Sequence, residues 1–262
     1  MLALLAALPL ASVATAQEAV FVAGSDNGFF TPINPGNAGL VAYGDGGWIG
    51  DGSSAPVALG RITLNLATFG SVKPGTTDLV FTFNDGDPSG LVFGSGDTLY
   101  STVIEGVELP AAKPGSAAFF TVDIPLPAIL TRGGFNDVGW SVRCANYAFA
   151  GQFGFQVSTC AAQTVGFYTN NASYFDGANW SLFAFGQDPC TQVANLSATI
   201  YTAACVGDLD GSGSVDAGDL AILLGSWGPS FPGDAADIDL SGQVDASDLA
   251  ALLGNWGACA GG

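Results

Sequence analysis

The 262-residue sequence contains no histidine. That absence removes Ser-His-Asp hydrolases, Cys-His proteases, His-ligated zinc enzymes and imidazole acid–base chemistry. Basic residues are scarce: five Lys and Arg stand against 23 Asp and Glu, for a formal net charge of −18. Such a chain repels phosphate backbones and offers no basic face to an anionic membrane, which argues against nucleic-acid binding. Glutamate is confined to Glu18, Glu105 and Glu108. Any catalysis would rest on Asp, Ser, Tyr or a bound metal. None of the five cysteines lies in a CxxC pair, which argues against zinc and for disulfides in an oxidising compartment.

Gly (38 residues) and Pro (13) are abundant, which favours short strands and turns over long helices. Residues 1–16, MLALLAALPLASVATA, read as a signal peptide: an apolar run followed by a small-residue Ala-Thr-Ala cleavage site. The run is too short for a bilayer span, and Pro9 interrupts it. The expectation is a secreted protein, extracellular or at the cell surface, with no membrane insertion of the mature chain.

Residues 17–204 are expected to form a β-sandwich or jelly-roll-like domain. Apolar or alternating runs recur between glycine-rich turns at 19–23, 39–43, 57–66, 79–84, 100–104, 117–124, 138–144, 154–158, 164–168, 180–185 and 196–202. Asn84-Asp85-Gly86-Asp87-Pro88 reads as a hairpin turn, and 125–130 as a crossover with a short helical turn. If the last five strands form a meander, Cys160 and Cys190 fall at one end and are the favoured pair.

The composition shifts after Cys205: residues 206–262 carry nine acidic side chains and no basic one. Within this stretch 208–228 (DLDGSGSVDAGDLAILLGSWG) repeats as 237–257 (DIDLSGQVDASDLAALLGNWG), identical at 15 of 21 positions. Each copy places oxygen side chains at loop positions 1, 3, 5, 9 and 12. They are Asp208, Asp210, Ser212, Asp216 and Asp219 in the first, and Asp237, Asp239, Ser241, Asp245 and Asp248 in the second. Gly213 and Gly242 occupy position 6, where a sharp turn is needed, and the carbonyls of Ser214 and Gln243 at position 7 complete the set. This is EF-hand loop spacing, so two calcium ions are expected; position 12 is Asp rather than the usual Glu. A short helix should follow each loop, with Leu220, Leu223, Leu224 and Trp227, and Leu249, Leu252, Leu253 and Trp256, each forming one apolar stripe. The two stripes are expected to face each other about a pseudo-two-fold axis.

The tandem loop–helix pair at 205–262 resembles the type I dockerin module. The resemblance implies three short helices, two calcium ions and attachment to a cohesin-like or cell-surface protein. In that family recognition residues sit at positions 10 and 11, often Ser-Thr; here they are Ala217-Gly218 and Ala246-Ser247, and only Ser247 keeps a hydroxyl. Dockerin termini lie close together, which favours a bridge between Cys205 and Cys259 and leaves Cys144 free or intermolecular. The competing arrangement joins Cys144 to Cys205 and leaves Cys259 free.

For the sandwich three readings stand. It is a non-catalytic binding domain presenting Trp48, Trp140, Tyr147, Tyr174 or Trp180 to a glycan, or a structural surface component, or a polysaccharide-degrading hydrolase or lyase delivered by the dockerin. Glu105 and Glu108, three apart in a strand, would face opposite sides, and Asp85 and Asp87 lie in a turn, so no catalytic residue is assigned. The reading carried forward is a non-catalytic sandwich joined to a calcium-binding attachment module.

Overall fold

The computed structural model describes residues 19–25, 30–33, 41–49, 56–132, 135–159, 162–169, 171–184, 194–203, 206–210, 212, 214–231, 234–239 and 241–258. The chain is mostly antiparallel strand, with two short helices near the C-terminus. The first sheet holds β1 (Ala19–Ala23), β2 (Phe30–Pro32), β4 (Ala58–Phe69), β7 (Ala117–Leu130), β9 (Gln152–Gln156), β10 (Gln163–Val165) and β14 (Ala198–Thr202). Its order is β10-β1-β14-β4-β9-β2, with β7 along the other side of β4. The second holds β3 (Ala42–Trp48), β5 (Gly75–Gly86), β6 (Gly94–Leu109), β8 (Asp137–Ala148), β11 (Phe167–Tyr168), β12 (Ala172–Phe175) and β13 (Trp180–Phe183). Its order is β13-β12-β3-β8-β5-β6, with β11 paired to β3.

Period-two alternation buries one face of each sheet. Ile62, Leu64 and Leu66 on β4 belong to one core cluster with Leu79, Phe81 and Phe83 on β5 and with Val138, Trp140 and Val142 on β8. Phe21 meets Trp140 edge-on across the sheets, ring centroids 5.6 Å apart. Eleven side chains of the size of Leu or Phe, with Trp140, are essentially inaccessible to water. At about 1.5–3 kcal/mol each, this burial is the dominant stabilisation.

Several elements differ from expectation. Residues 125–130 continue strand β7. The two prolines are accommodated by a bulge: Leu59 pairs with Ile129 and Arg61 with Pro125, so Leu126, Pro127 and Ala128 lie opposite the single residue Gly60. Proline lacks a ladder donor, and an edge strand with a bulge is where it fits. Strand β3 extends to Trp48 through three glycines. Glycine ordinarily weakens a strand, but here the space requires it: a Cβ on Gly44 would lie 2.5 Å from the Trp140 carbonyl oxygen, and on Gly46 2.6 Å from that of Val138. The short strands β2 and β12 have no counterpart in the expected set. The strands after β8 do not form a meander, because β9, β10 and β14 join one sheet while β11, β12 and β13 join the other. Cys160 and Cys190, like Cys205 and Cys259, lie outside the described residues; Cys144 is a buried free thiol.

A second, smaller core lies at the C-terminus: Val215, Leu223, Ala236, Ile238, Val244 and Leu252, flanked by Leu209, Leu220 and Leu249. It is built on β15 (Ser214–Val215), α1 (Ala217–Gly225), β16 (Gly228–Pro229), β17 (Gln243–Val244), α2 (Ala246–Gly254) and β18 (Gly257–Ala258). Val215 pairs with Gly257, and Val244 pairs with Gly228. Exchanging the two copies of the repeat, 215 for 244 and 257 for 228, turns the first pair into the second, which is the signature of a pseudo-two-fold axis. The resemblance implied three short helices; among the described residues there are two.

Candidate metal centre

Each helix begins at a capping box. Asp216 accepts the Gly218 amide at 2.7 Å, and Asp245 accepts that of Ser247 at 2.8 Å. In return Asp219 and Asp248 accept the backbone amides of Asp216 (2.7 Å) and Asp245 (2.8 Å). The Asp at position 12 therefore sits at the third residue of its helix, where the box places an acidic side chain. The same carboxylate reaches back to the start of the loop. Asp219 also accepts the amides of Leu209 (2.6 Å) and Asp210 (3.1 Å), and Asp248 that of Asp239 (3.1 Å). One side chain thus closes each loop onto its own beginning.

The turn is pinned from the other side. The Ser212 amide donates to Asp208 (3.0 Å) and Asp210 (2.9 Å), and the Ser241 amide to Asp237 (3.0 Å) and Asp239 (3.1 Å). Hydrogen bonds from the Ser212 side chain and amide hold the Asp210 carboxyl below its usual range. The position-5 hydroxyls lie against the position-7 carbonyls, Ser212 on Ser214 at 3.2 Å and Ser241 on Gln243 at 3.1 Å. Gly242 adopts φ +87°, which only glycine takes without cost.

The result is two carboxylate trios. Asp208, Asp210 and Asp219 place one oxygen each within 4.8 Å of one another, and so do Asp237, Asp239 and Asp248. Among the described residues no other such group occurs. Asp219 and Asp248 are fully buried, and no Lys or Arg exists anywhere in 206–262 to neutralise them. Converging hard oxygen donors without a protein cation fit a hard divalent ion, and the loop spacing suits calcium over magnesium. Asp216 and Asp245 stand outside the trios and spend an oxygen on the helix cap, in keeping with a position-9 residue that reaches an ion through water.

The expected apolar stripes are split. Leu223 and Leu252 are buried and Leu220 and Leu249 partly so. Leu224, Trp227, Leu253 and Trp256 are about half exposed, with Ile222 beside them. A helix of nine residues in so small a unit has too little partner surface to cover the whole stripe. Ala217, Ala246 and Ser247 are exposed on the first helical turns.

The sandwich's candidates are distributed differently from expectation. Trp140 is fully buried core, and Trp48, Tyr147, Tyr174 and Trp180 are only partly exposed. Trp48 packs on Phe93 at 4.4 Å, and the Tyr147 hydroxyl donates to the Gly151 carbonyl at 2.9 Å. Among the described residues of the sandwich the exposed aromatics are Phe119, Phe135 and Phe167, which carry no sequence signal beyond their type. Glu105 and Glu108 share the outer face, because a bulge at Gly106 (φ +64°) resets the alternation: Thr77 pairs with Val107 and Leu79 with Ile104. Glu108 lines a shallow groove of about 540 Å³ with Thr76, Pro110 and Phe120, where it is the one acidic group. Asp85 and Asp87 are buried at the β5–β6 turn and internally satisfied. Asp85 pairs with Arg132 at 2.9 Å and accepts the Ser95 hydroxyl at 2.8 Å, while Asp87 accepts the Ser89 and Ser173 hydroxyls.

Residues 206–254 match the dockerin type I domain family. No curated protein and no solved structure matches the chain. Dockerin domains bind calcium and attach the proteins that carry them to cohesins, and they occur in extracellular or cell-surface proteins. The match covers less than a fifth of the chain, and none of it falls in the sandwich. Among the described residues no helix is long and apolar enough to cross a membrane.

Proposed function

We propose that this is a secreted calcium-binding protein, with a signal peptide at 1–16, a β-sandwich at 17–204 and an attachment module at 205–262. The module binds two calcium ions, one per loop. The ligands are the side chains of Asp208, Asp210, Ser212 and Asp219 with the Ser214 carbonyl, and those of Asp237, Asp239, Ser241 and Asp248 with the Gln243 carbonyl. Asp216 and Asp245 act through water. The ion supplies charge compensation for each trio; the chain supplies a loop already closed by the position-12 carboxylate. Calcium binding then adds to folding free energy, since the ligand set exists only in the folded loop.

The module attaches the protein to a cohesin-like or cell-surface partner, and the sandwich is a non-catalytic surface or binding domain. The observation that carries the attachment is the exposed apolar surface of Leu224, Trp227, Leu253 and Trp256 on an otherwise acidic unit. Half-exposed tryptophans just past the ends of short helices are the kind of anchor that protein interfaces bury. The test is capture of the full chain by immobilised cohesins with calcium and with chelator. Calcium-dependent capture that Trp227→Ala and Trp256→Ala weaken at least about tenfold, about 1.4 kcal/mol, supports the reading. Calcium-independent capture, or none by any cohesin, refutes it.

A further inference from the structure

The repeat makes the two loops nearly identical, yet the sandwich treats them differently. The last sandwich strand ends with Thr202 paired to Leu59, and the Ala203 amide donates to the Ala58 carbonyl at 2.7 Å. Ala203 lies over Gly60, where a Cβ would come within 2.5 Å of its Cα. Gly60 is also the residue opposite the β7 bulge. The chain therefore leaves the sandwich beside the bulge, and the module begins three residues later at Val206.

The bulge meets the module around Leu130. Leu130 packs on the module's core cluster. Pro127, Ala128, Ile129 and Leu130, with Leu99 of β6, line a small cavity of about 10 Å³ together with Asp234, Ala235 and Asp237. Ala128 has φ +47°, a left-handed conformation that a bulge tolerates and that re-aims this stretch of strand. Asp237 is position 1 of the second loop. It is 5% exposed, whereas Asp208, its equivalent in the first loop, is not buried. Asp237 is held by the amides of Ser241 (3.0 Å) and Gly242 (2.9 Å) and by the Ser230 hydroxyl. One ligand of the second loop thus doubles as part of the floor on which the module rests, and no ligand of the first loop lines that contact.

We propose that calcium in the second loop locks the module against the β7 bulge, so that two loops of nearly one sequence act as different sites: the second a clamp between the units, the first an ion site outside that contact. This rests on the calcium reading above. An ion that fixes Asp237, Asp239 and Asp248 in one geometry also fixes the 234–237 turn, and with it the surface that Leu130 and Pro127 meet. Linkage makes the coupling reciprocal: contact with the bulge strengthens calcium at the second loop, and the first, reached only through the shared core, gains less.

The test is amide hydrogen exchange on the full chain with and without calcium, reading peptides over 126–131, 208–219 and 237–248. Calcium should slow exchange in both loops and, by about tenfold, across 126–131. Asp208→Asn should keep the slowing at 126–131, and Asp237→Asn should lose it. Leu130→Ser should lose it while both loops still respond to calcium. A calcium-independent 126–131 segment with responsive loops overturns the clamp, as does an equal effect of Asp208→Asn and Asp237→Asn. Loops that do not respond at all overturn the calcium reading itself, which is a separate and recognisable outcome. If Leu130→Ser disrupts the sandwich, the two aspartate variants, both outside it, still decide.

Discussion

Replacing Asp219 by Ala should unfold the C-terminal unit while leaving the sandwich standing. Asp219 is fully buried and accepts the amides of Leu209, Asp210 and Asp216. Hydrogen bonds to a charged group contribute about 1.5–3 kcal/mol each, and orphaned amides add a desolvation cost. Three of them make the loss at least about 4 kcal/mol. A unit of this size rarely holds more than about 3–5 kcal/mol from its core. Loop 1 cannot fail alone, because Val215 and Leu223 share a cluster with Val244 and Leu252. Asp219→Asn keeps one oxygen for Leu209 and Asp210 and turns an NH2 toward the Asp216 amide, so it should cost roughly half as much. The assay is urea unfolding of the full chain at fixed free calcium, followed by helical circular dichroism and tryptophan emission, with the sandwich transition as internal reference. A loss below about 1 kcal/mol for Asp219→Ala, or equal losses for Asn and Ala, would refute the reasoning.

Other expectations follow from the sandwich. Burial pushes the Cys144 thiol up to about 12, so in native protein at pH 8 Cys144 should resist alkylation and react only in denaturant, as peptide mass mapping would show. Burial also pushes the Asp45 carboxyl well above its ordinary value, against the opposing amides of Leu196 and Gly46. With the folded value above the unfolded one, its contribution to stability is full below the ordinary carboxylate range and is lost as pH rises through the folded value. Denaturant unfolding of the sandwich from pH 4 upward should therefore show a falling component that Asp45→Asn flattens. A Cβ on Gly139 would lie 1.7 Å from the Gly86 carbonyl oxygen. Gly139→Ala should force β5 and β8 apart and lower the sandwich's melting temperature by several degrees or abolish soluble expression, whereas Gly115→Ala, which meets no neighbour and is strained only by its φ of +75°, should lower it less.

The acidic loops were legible because their information is local. The oxygen-donor positions, the position-6 glycine and the helix start all lie within twelve consecutive residues, so spacing alone places the carboxylates together. What spacing could not show is that Asp219 and Asp248 hold the loop shut as well as joining the carboxylate trios. That second role depends on amides ten residues back folding under a buried carboxylate. The sandwich was legible as strands but not as a site. Its aromatics divide into core and surface by which sheet face they occupy and what covers them, and a bulge such as that at Gly106 shifts every residue beyond it to the other face.

By itself the sequence determined the class of each part: a β-rich region from alternation and glycine punctuation, and a duplicated oxygen-donor loop from a repeat of 29 residues. Period and spacing are properties of contiguous chain, so they survive without knowledge of partners. Only the tertiary structure decided which half of each helical stripe is buried, because that depends on how little core two nine-residue helices can share. It also decided that the loops are unequal. That asymmetry arises where β14 ends beside the Leu126-Pro127-Ala128 bulge, a contact between segments some 75 residues apart that no local pattern encodes.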